Sequence, residues 1–106
     1  MAKYKLIFDK KFLKKYRNKI DKSSQKTIDK KILELQKNPK KGKPLFSIHP
    51  HLYELYAKSY RIYYIIHHKE IRIVVLAYEH KNNQKKFLNT LNTDKTIIDD
   101  ILKEIL

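Results

Sequence analysis

The apolar positions of this chain switch between two periods. Tyr4 to Phe8 alternates, with Leu6 and Phe8 on one face, which predicts a short strand. Asp9 stands where a helix N-cap belongs. Phe12, Leu13, Tyr16 and Ile20 then recur at helical spacing and predict a first helix from Lys10 to Ile20. Lys10, Lys11, Lys14 and Lys15 fall on its outer side. Asp21-Lys22-Ser23 is a turn, and Ser23 or Ser24 can cap a second helix. Its buried stripe is Ile28, Ile32 and Leu35, with Leu33 beside it. Asn38-Pro39 ends it, because the residue before a proline disfavours helix. Two helices joined by a short turn make an antiparallel pair.

The second half shortens its period. Lys40 to Lys43 is a basic loop around the only glycine, Gly42, and Pro44 to Ile48 is extended. His51 to Ala57 alternates, and Tyr60 to His67 is rich in aromatic and β-branched residues, as strands are. His68-Lys69-Glu70 is a turn. Ile71 to Tyr78 comes next, and its run Ile73-Val74-Val75-Leu76-Ala77 predicts an interior strand covered on both faces. Residues 79–87 form a polar segment. From about Asn92-Thr93 the helical period returns in Ile97, Ile98, Ile101, Leu102 and Ile105, with Asp94 favourably near the start. The expected fold class is α+β, ordered β-α-α-β-β-β. An antiparallel sheet packs against the N-terminal helix pair, and residues 94–106 add a C-terminal amphipathic helix, all within one domain over residues 1–106.

Composition narrows the classes. The chain is 42% hydrophobic with one Gly and three Pro, so it can bury a core and is not disordered. It has no Cys, which removes disulfides, thiolate metal sites and a Cys nucleophile. One Gly cannot build a phosphate-cradling loop. The expectation is a cytoplasmic protein, since no signal-peptide pattern stands at the start and the longest apolar run is too short to span a membrane. The net charge is +14, and it is lopsided: residues 1–51 hold 16 basic and 4 acidic side chains, against 9 and 7 in the remainder. Such a field captures polyanions, nucleic acid or an acidic protein.

Three groups could carry chemistry. The histidines, His49, His51, His67, His68 and His80, lack carboxylate or thiolate companions at ligand spacing, so solvated histidines are the better account than a metal site. Arg61 stands on a strand among aromatics. It either points from a concave face to hold a phosphate in a two-pronged grip or sits at a rim paired with Glu54. Finally, Lys58, Arg61, Arg72, Lys81, Lys85 and Lys86 are interleaved with Tyr53, Tyr56, Tyr60, Tyr63 and Tyr64. Basic groups hold phosphates and aromatic faces stack bases, although alternation sends most of these tyrosines into the core.

Read in order, several segments resemble the RelE/ParE toxins of type II toxin–antitoxin systems. They are Phe12-Leu13-Lys14-Lys15-Tyr16, Ile32-Leu33-Glu34-Leu35 with Asn38-Pro39, and Gly42-Lys43-Pro44-Leu45. Leu52-Tyr53-Glu54-Leu55, Tyr60-Arg61-Ile62-Tyr63-Tyr64 and the strand Ile73 to Leu76 leading into His80-Lys81 complete the series. The resemblance implies the β-α-α-β-β-β core and a cognate antitoxin, expected to be acidic. It also implies an mRNA interferase: an endoribonuclease on the ribosome that uses no cofactor or metal, the RNA's own 2′-hydroxyl attacking the adjacent phosphorus. The same fold serves ParE-like toxins that inhibit DNA gyrase, and a degenerate RNA-binding relative is a further alternative. By the resemblance, Arg61 contacts the scissile phosphate, Lys81 is a second basic residue, His80 takes the proton work and Glu54 is a possible base. Lys58, Lys85, Lys86 and Phe87 bind RNA. Phe87 stands at the spacing of a catalytic tyrosine, and a phenyl ring stacks but moves no proton.

Overall fold

The structure is a computed structural model that describes residues 3–94 and 96–105, leaving out the side chains of residues 17–19, 104 and 105. Strand β1 (Lys5–Phe8) leads into helices α1 (Lys10–Lys19) and α2 (Lys22–Glu34). Strands β2 (Lys43–Pro44), β3 (Leu52–Ala57), β4 (Tyr60–His67) and β5 (Arg72–His80) come next, then α3 (Gln84–Thr93) and α4 (Thr96–Ile105). The expected α+β architecture, with its helix pair, antiparallel meander and C-terminal helix, is present. The sheet runs β1-β5-β4-β3-β2, with β2 to β5 antiparallel. It is mixed because β1 pairs parallel with β5. The α1–α2 pair carries the chain across the sheet from β1 at one edge to β2 at the other. Among the described residues no helix is long and apolar enough to cross a membrane.

Each sheet face carries its own core. Against α1 and α2 lie Tyr53, Leu55, Ile62, Tyr64, Ile66, Ile73, Val75 and Tyr78 with Phe12, Ile28, Ile32 and Leu35. Against α3 and α4 lie Leu52, Tyr63, Ile65, Val74 and Leu76 with Leu91 and Ile98. Full burial of such side chains contributes about 1.5–3 kcal/mol each. β4 and β5 are therefore buried on both faces, as the apolar run of β5 predicts for that strand. The Tyr64 hydroxyl donates to the Pro39 carbonyl at 2.8 Å and accepts from Gly42 N at 3.0 Å, pinning the basic loop to the sheet. Burial pushes Tyr64 up to about 12. A Cβ on Gly42 would lie 2.6 Å from that hydroxyl and 2.8 Å from the Glu54 carbonyl, so glycine is what lets the loop approach.

Four local expectations are corrected. Asp21, not a serine, caps α2, accepting from Ser24 N at 3.1 Å. The helix starts earlier than a serine cap would set it, at Lys22, so Ser23 and Ser24 fall within its first turn. Leu33 is 59% exposed, because Ile28, Ile32 and Leu35 already fill the stripe. Of the segment expected to be extended, Pro44 to Ile48, only Pro44 pairs as a strand, together with Lys43, and residues 46–48 turn. The polar stretch 79–87 is the end of β5, a 3-10 turn over Lys81–Asn83 and the first turn of α3. Phe87, Leu88 and Leu91 give α3 an apolar face of its own. Of the terminal stripe, Ile98 is buried, whereas the Ile105 side chain and Leu106 lie outside the described residues, as does Lys95.

Candidate nucleic-acid interface

The β3–β4 hairpin turns through two residues, Lys58 and Ser59, since Ala57 pairs with Tyr60. Tight hairpins of this kind need a positive φ, and Lys58 adopts one at 55°. Arg61 closes over the turn. Its Nη1 donates to the Lys58 and Tyr60 carbonyls, both at 3.0 Å, and its guanidinium lies 3.9 Å from the Tyr56 ring centroid. Lys81 N donates to the Ser59 carbonyl at 2.7 Å, so the residues after β5 join the same turn. Lys58, Arg61 and Lys81 are thus gathered at one end of the sheet, with exposed Lys85 and Lys86 on the adjoining first turn of α3.

With Nη1 committed to backbone, and Nε buried without a hydrogen-bond partner among the described residues, Nη2 is the nitrogen of Arg61 left to meet an anion. Glu54 does not pair with Arg61. It is 1% exposed and accepts from Gln84 Nε2 at 2.8 Å, tying β3 to the start of α3. The Tyr63 hydroxyl, beside it, is held well above the ordinary phenol range by burial first and by the Glu54 carboxylate next. No hydrogen bond of good geometry reaches that hydroxyl.

His80 is placed differently. Arg61 pairs with Glu79 and His80 with Tyr60, so Arg61 and His80 project from opposite faces of the sheet. His80 packs edge-on against Tyr60 at 5.4 Å on the α1 side. Its Nδ1 accepts from Asn82 N at 3.1 Å, which puts the neutral ring's proton on Nε2. The cause is a β-bulge: Tyr63 pairs with Ala77 but Tyr64 with Val75, leaving Leu76 extra. Strict alternation from Val74 would have sent His80 to the face of Arg61. Phe87 lies partly buried 4.6 Å from the Tyr63 ring. The other histidines lie at the far end of the sheet, where Tyr4 Oη contacts His68 Nδ1 at 3.1 Å and His49 Nε2 contacts Asp99 at 3.2 Å. Among the described residues, no group of three or more His, Cys, Asp or Glu converges as metal ligands would. Sequence reasoning passed over two residues here: Gln84, the partner of Glu54, and Lys15, which binds Glu79 at 3.1 Å.

A family model described as the ParE toxin of type II toxin–antitoxin systems matches residues 7–84. The free Escherichia coli toxin RelE, as a double arginine-to-alanine variant, superposes with a TM-score of 0.70 at 23% identity, over 92% of this chain and 99% of that one. The toxin of the intact E. coli RelBE toxin–antitoxin complex matches at 0.65 and 25% identity, over 73% and 95%. A RelBE toxin–antitoxin complex from Mycobacterium tuberculosis matches at 0.67 and 21%, over 76% and 93%. Among curated proteins, none matches by sequence. The chain belongs to the RelE/ParE family of type II toxin–antitoxin toxins.

Proposed function

We propose that this toxin is a ribosome-associated mRNA endoribonuclease of the cytoplasm. The observation that carries the reading is Arg61, whose guanidinium is held over the hairpin turn by two carbonyls and the Tyr56 ring and, among the described residues, forms no ion pair with a carboxylate. In the reaction, the RNA's 2′-oxygen bonds to the adjacent phosphorus and its proton passes to a base. The 5′-oxygen leaves with a proton, and a 2′,3′-cyclic phosphate remains. Arg61 grips the non-bridging oxygens and Lys81 adds charge as the phosphorus becomes pentacovalent. Lys58, Lys85 and Lys86 hold the flanking backbone. Lys81, whose backbone N–H joins the Lys58–Ser59 turn next to Arg61, is the proton carrier in this reading. His80 would serve only from the other face of β5, and Glu54 acts through Gln84 because it is buried. Phe87 braces Tyr63 and carries α3.

The partner is a cognate acidic antitoxin. A groove of about 540 Å3 runs along the edge of β5 beyond the end of β1, lined by Phe12, Leu76, Phe87, Leu91, Ile97 and Ile101. Lys10, Lys11 and Lys15 line it too, with Glu79, which Lys15 pairs, and Asp100. Apolar walls below lysines suit an apolar helix or strand carrying acids. The RelBE complexes among the structural matches support an antitoxin partner.

A second reading is ParE-like inhibition of DNA gyrase. The matched family description favours it, as do a phenyl ring at Phe87 that carries no proton and the projection of His80 from the face opposite Arg61. Inducing the toxin alone and mapping mRNA ends separates the two. Growth arrest with new mRNA ends, relieved by Arg61→Ala, is expected. Arrest with intact mRNA and blocked supercoiling replaces the nuclease with the gyrase reading. An Arg61→Ala variant that folds and stays fully toxic removes Arg61 from the site.

A further inference from the structure

We propose that Tyr56 is the base-stacking residue of this interface, holding a nucleobase of single-stranded RNA next to the phosphate that Arg61 grips. The inference rests on the RNA reading above. Most of the tyrosines interleaved with the basic residues are spent on the core: Tyr53, Tyr63 and Tyr64 are each 6% exposed or less. Phe87, the aromatic expected from the sequence to stack, has its ring engaged by Tyr63. Tyr56 is 50% exposed.

Its surroundings give that exposure a use. Tyr56 pairs with Arg61 across β3 and β4, so both side chains leave the same face. The guanidinium at 3.9 Å covers one face of the ring and restrains it, which lowers the entropy lost when a base stacks on the other. Strand β2 pairs only with Glu54 and Tyr53, so the β3 edge is uncovered from Leu55 onward. There a cleft of about 360 Å3 is lined by Tyr56 with Lys31, Lys41 and Lys43. Lys41 is paired with Glu34. Lys43 is exposed and Lys31 half-buried beside it. An aromatic face with cations on both sides binds one base and the phosphates flanking it, tolerantly of sequence.

The test uses a short single-stranded RNA made uncleavable by 2′-O-methylation and carrying one 2-aminopurine, whose fluorescence falls on stacking. The full chain should bind it and quench it. Tyr56→Phe should keep both properties. Tyr56→Ala should lose the quenching and weaken binding by about 5- to 150-fold, the span of one base–aromatic stack. Near-UV circular dichroism checks that this surface variant folds. Unchanged binding and quenching in Tyr56→Ala overturns the proposal while leaving the RNA reading intact. Tyr56→Phe as damaging as Tyr56→Ala overturns it too, since the hydroxyl rather than the ring face would then matter. Wild-type protein that does not bind the probe overturns the RNA reading, and this proposal with it.

Discussion

Glu79 faces Arg61 across the β4–β5 register, yet its carboxylate is held by Lys15 of α1 at 3.1 Å. Lys15 also donates to the Tyr78 carbonyl at 3.3 Å and lies over the Tyr78 ring at 4.9 Å. The helix layer thus keeps the carboxylate opposite Arg61 in the register from neutralising the arginine that the interface needs.

Lys15→Met is therefore expected to impair the toxin more than the fold. The lost pair is part-exposed and contributes about 0–1 kcal/mol to stability. Glu79, released, is free to pair with Arg61 and compete with RNA phosphate. Toxicity on induction should drop while the denaturation midpoint barely moves, and the double variant Lys15→Met, Glu79→Gln should recover toxicity. Failure of that second change to rescue would mean that Lys15 acts by some route other than shielding Arg61.

Glu54 and Gln84 offer a second test, because burial argues for a holding role over proton transfer. The carboxamide of Glu54→Gln can still accept from Gln84 Nε2, so cleavage should stay within a few-fold of wild type. Glu54→Ala leaves the Gln84 amide unpaired and should lower stability by about 1–3 kcal/mol and loosen α3. If Glu54→Gln folds normally but turns over about 10²- to 10⁴-fold more slowly, Glu54 is a base after all.

Period and resemblance made much of this molecule legible before any coordinates. Runs such as Ile73 to Leu76 admit few readings, and Asp9 is the cap that its position announced, accepting from Lys11 N at 3.1 Å. The bulge at Leu76 was not legible, because an extra residue in an apolar run leaves the composition unchanged while reversing the face of every later side chain on the strand. The resemblance gives His80 the proton work alongside Arg61, and the bulge turns it to the other face. Helix α3 was hidden by its polar outer side, although Phe87, Leu88 and Leu91 carried the signal. The exposure of Tyr56 depends on β2 being only two residues long, which a pattern of hydrophobicity does not encode.

The C-terminal helix makes the antitoxin groove testable. At the start of α4, Asp94 Oδ1 accepts from Thr96 N at 3.0 Å and Thr96 Oγ1 at 2.6 Å. Ile98 is the anchor, 3% exposed against the second core, and His49–Asp99 adds a polar clasp. Ile97 and Ile101 are only partly buried and form one wall of the groove along β5. An antitoxin segment lying there would cover them, so Ile97→Asp with Ile101→Asp should weaken toxin–antitoxin association by at least about tenfold. Losing two apolar contacts of this size costs about 2–5 kcal/mol. The added acids would also oppose an acidic partner. Neither residue belongs to the Arg61 interface, so toxicity of the variant without antitoxin should persist, and the antitoxin should no longer suppress it. Deleting residues 94–106 should have the same effect if the remainder stays folded. A truncated toxin that binds its antitoxin as tightly as the full chain would show α4 to be a passive cover for the second core, and the groove wall would then have to be drawn from α1, β5 and α3 alone.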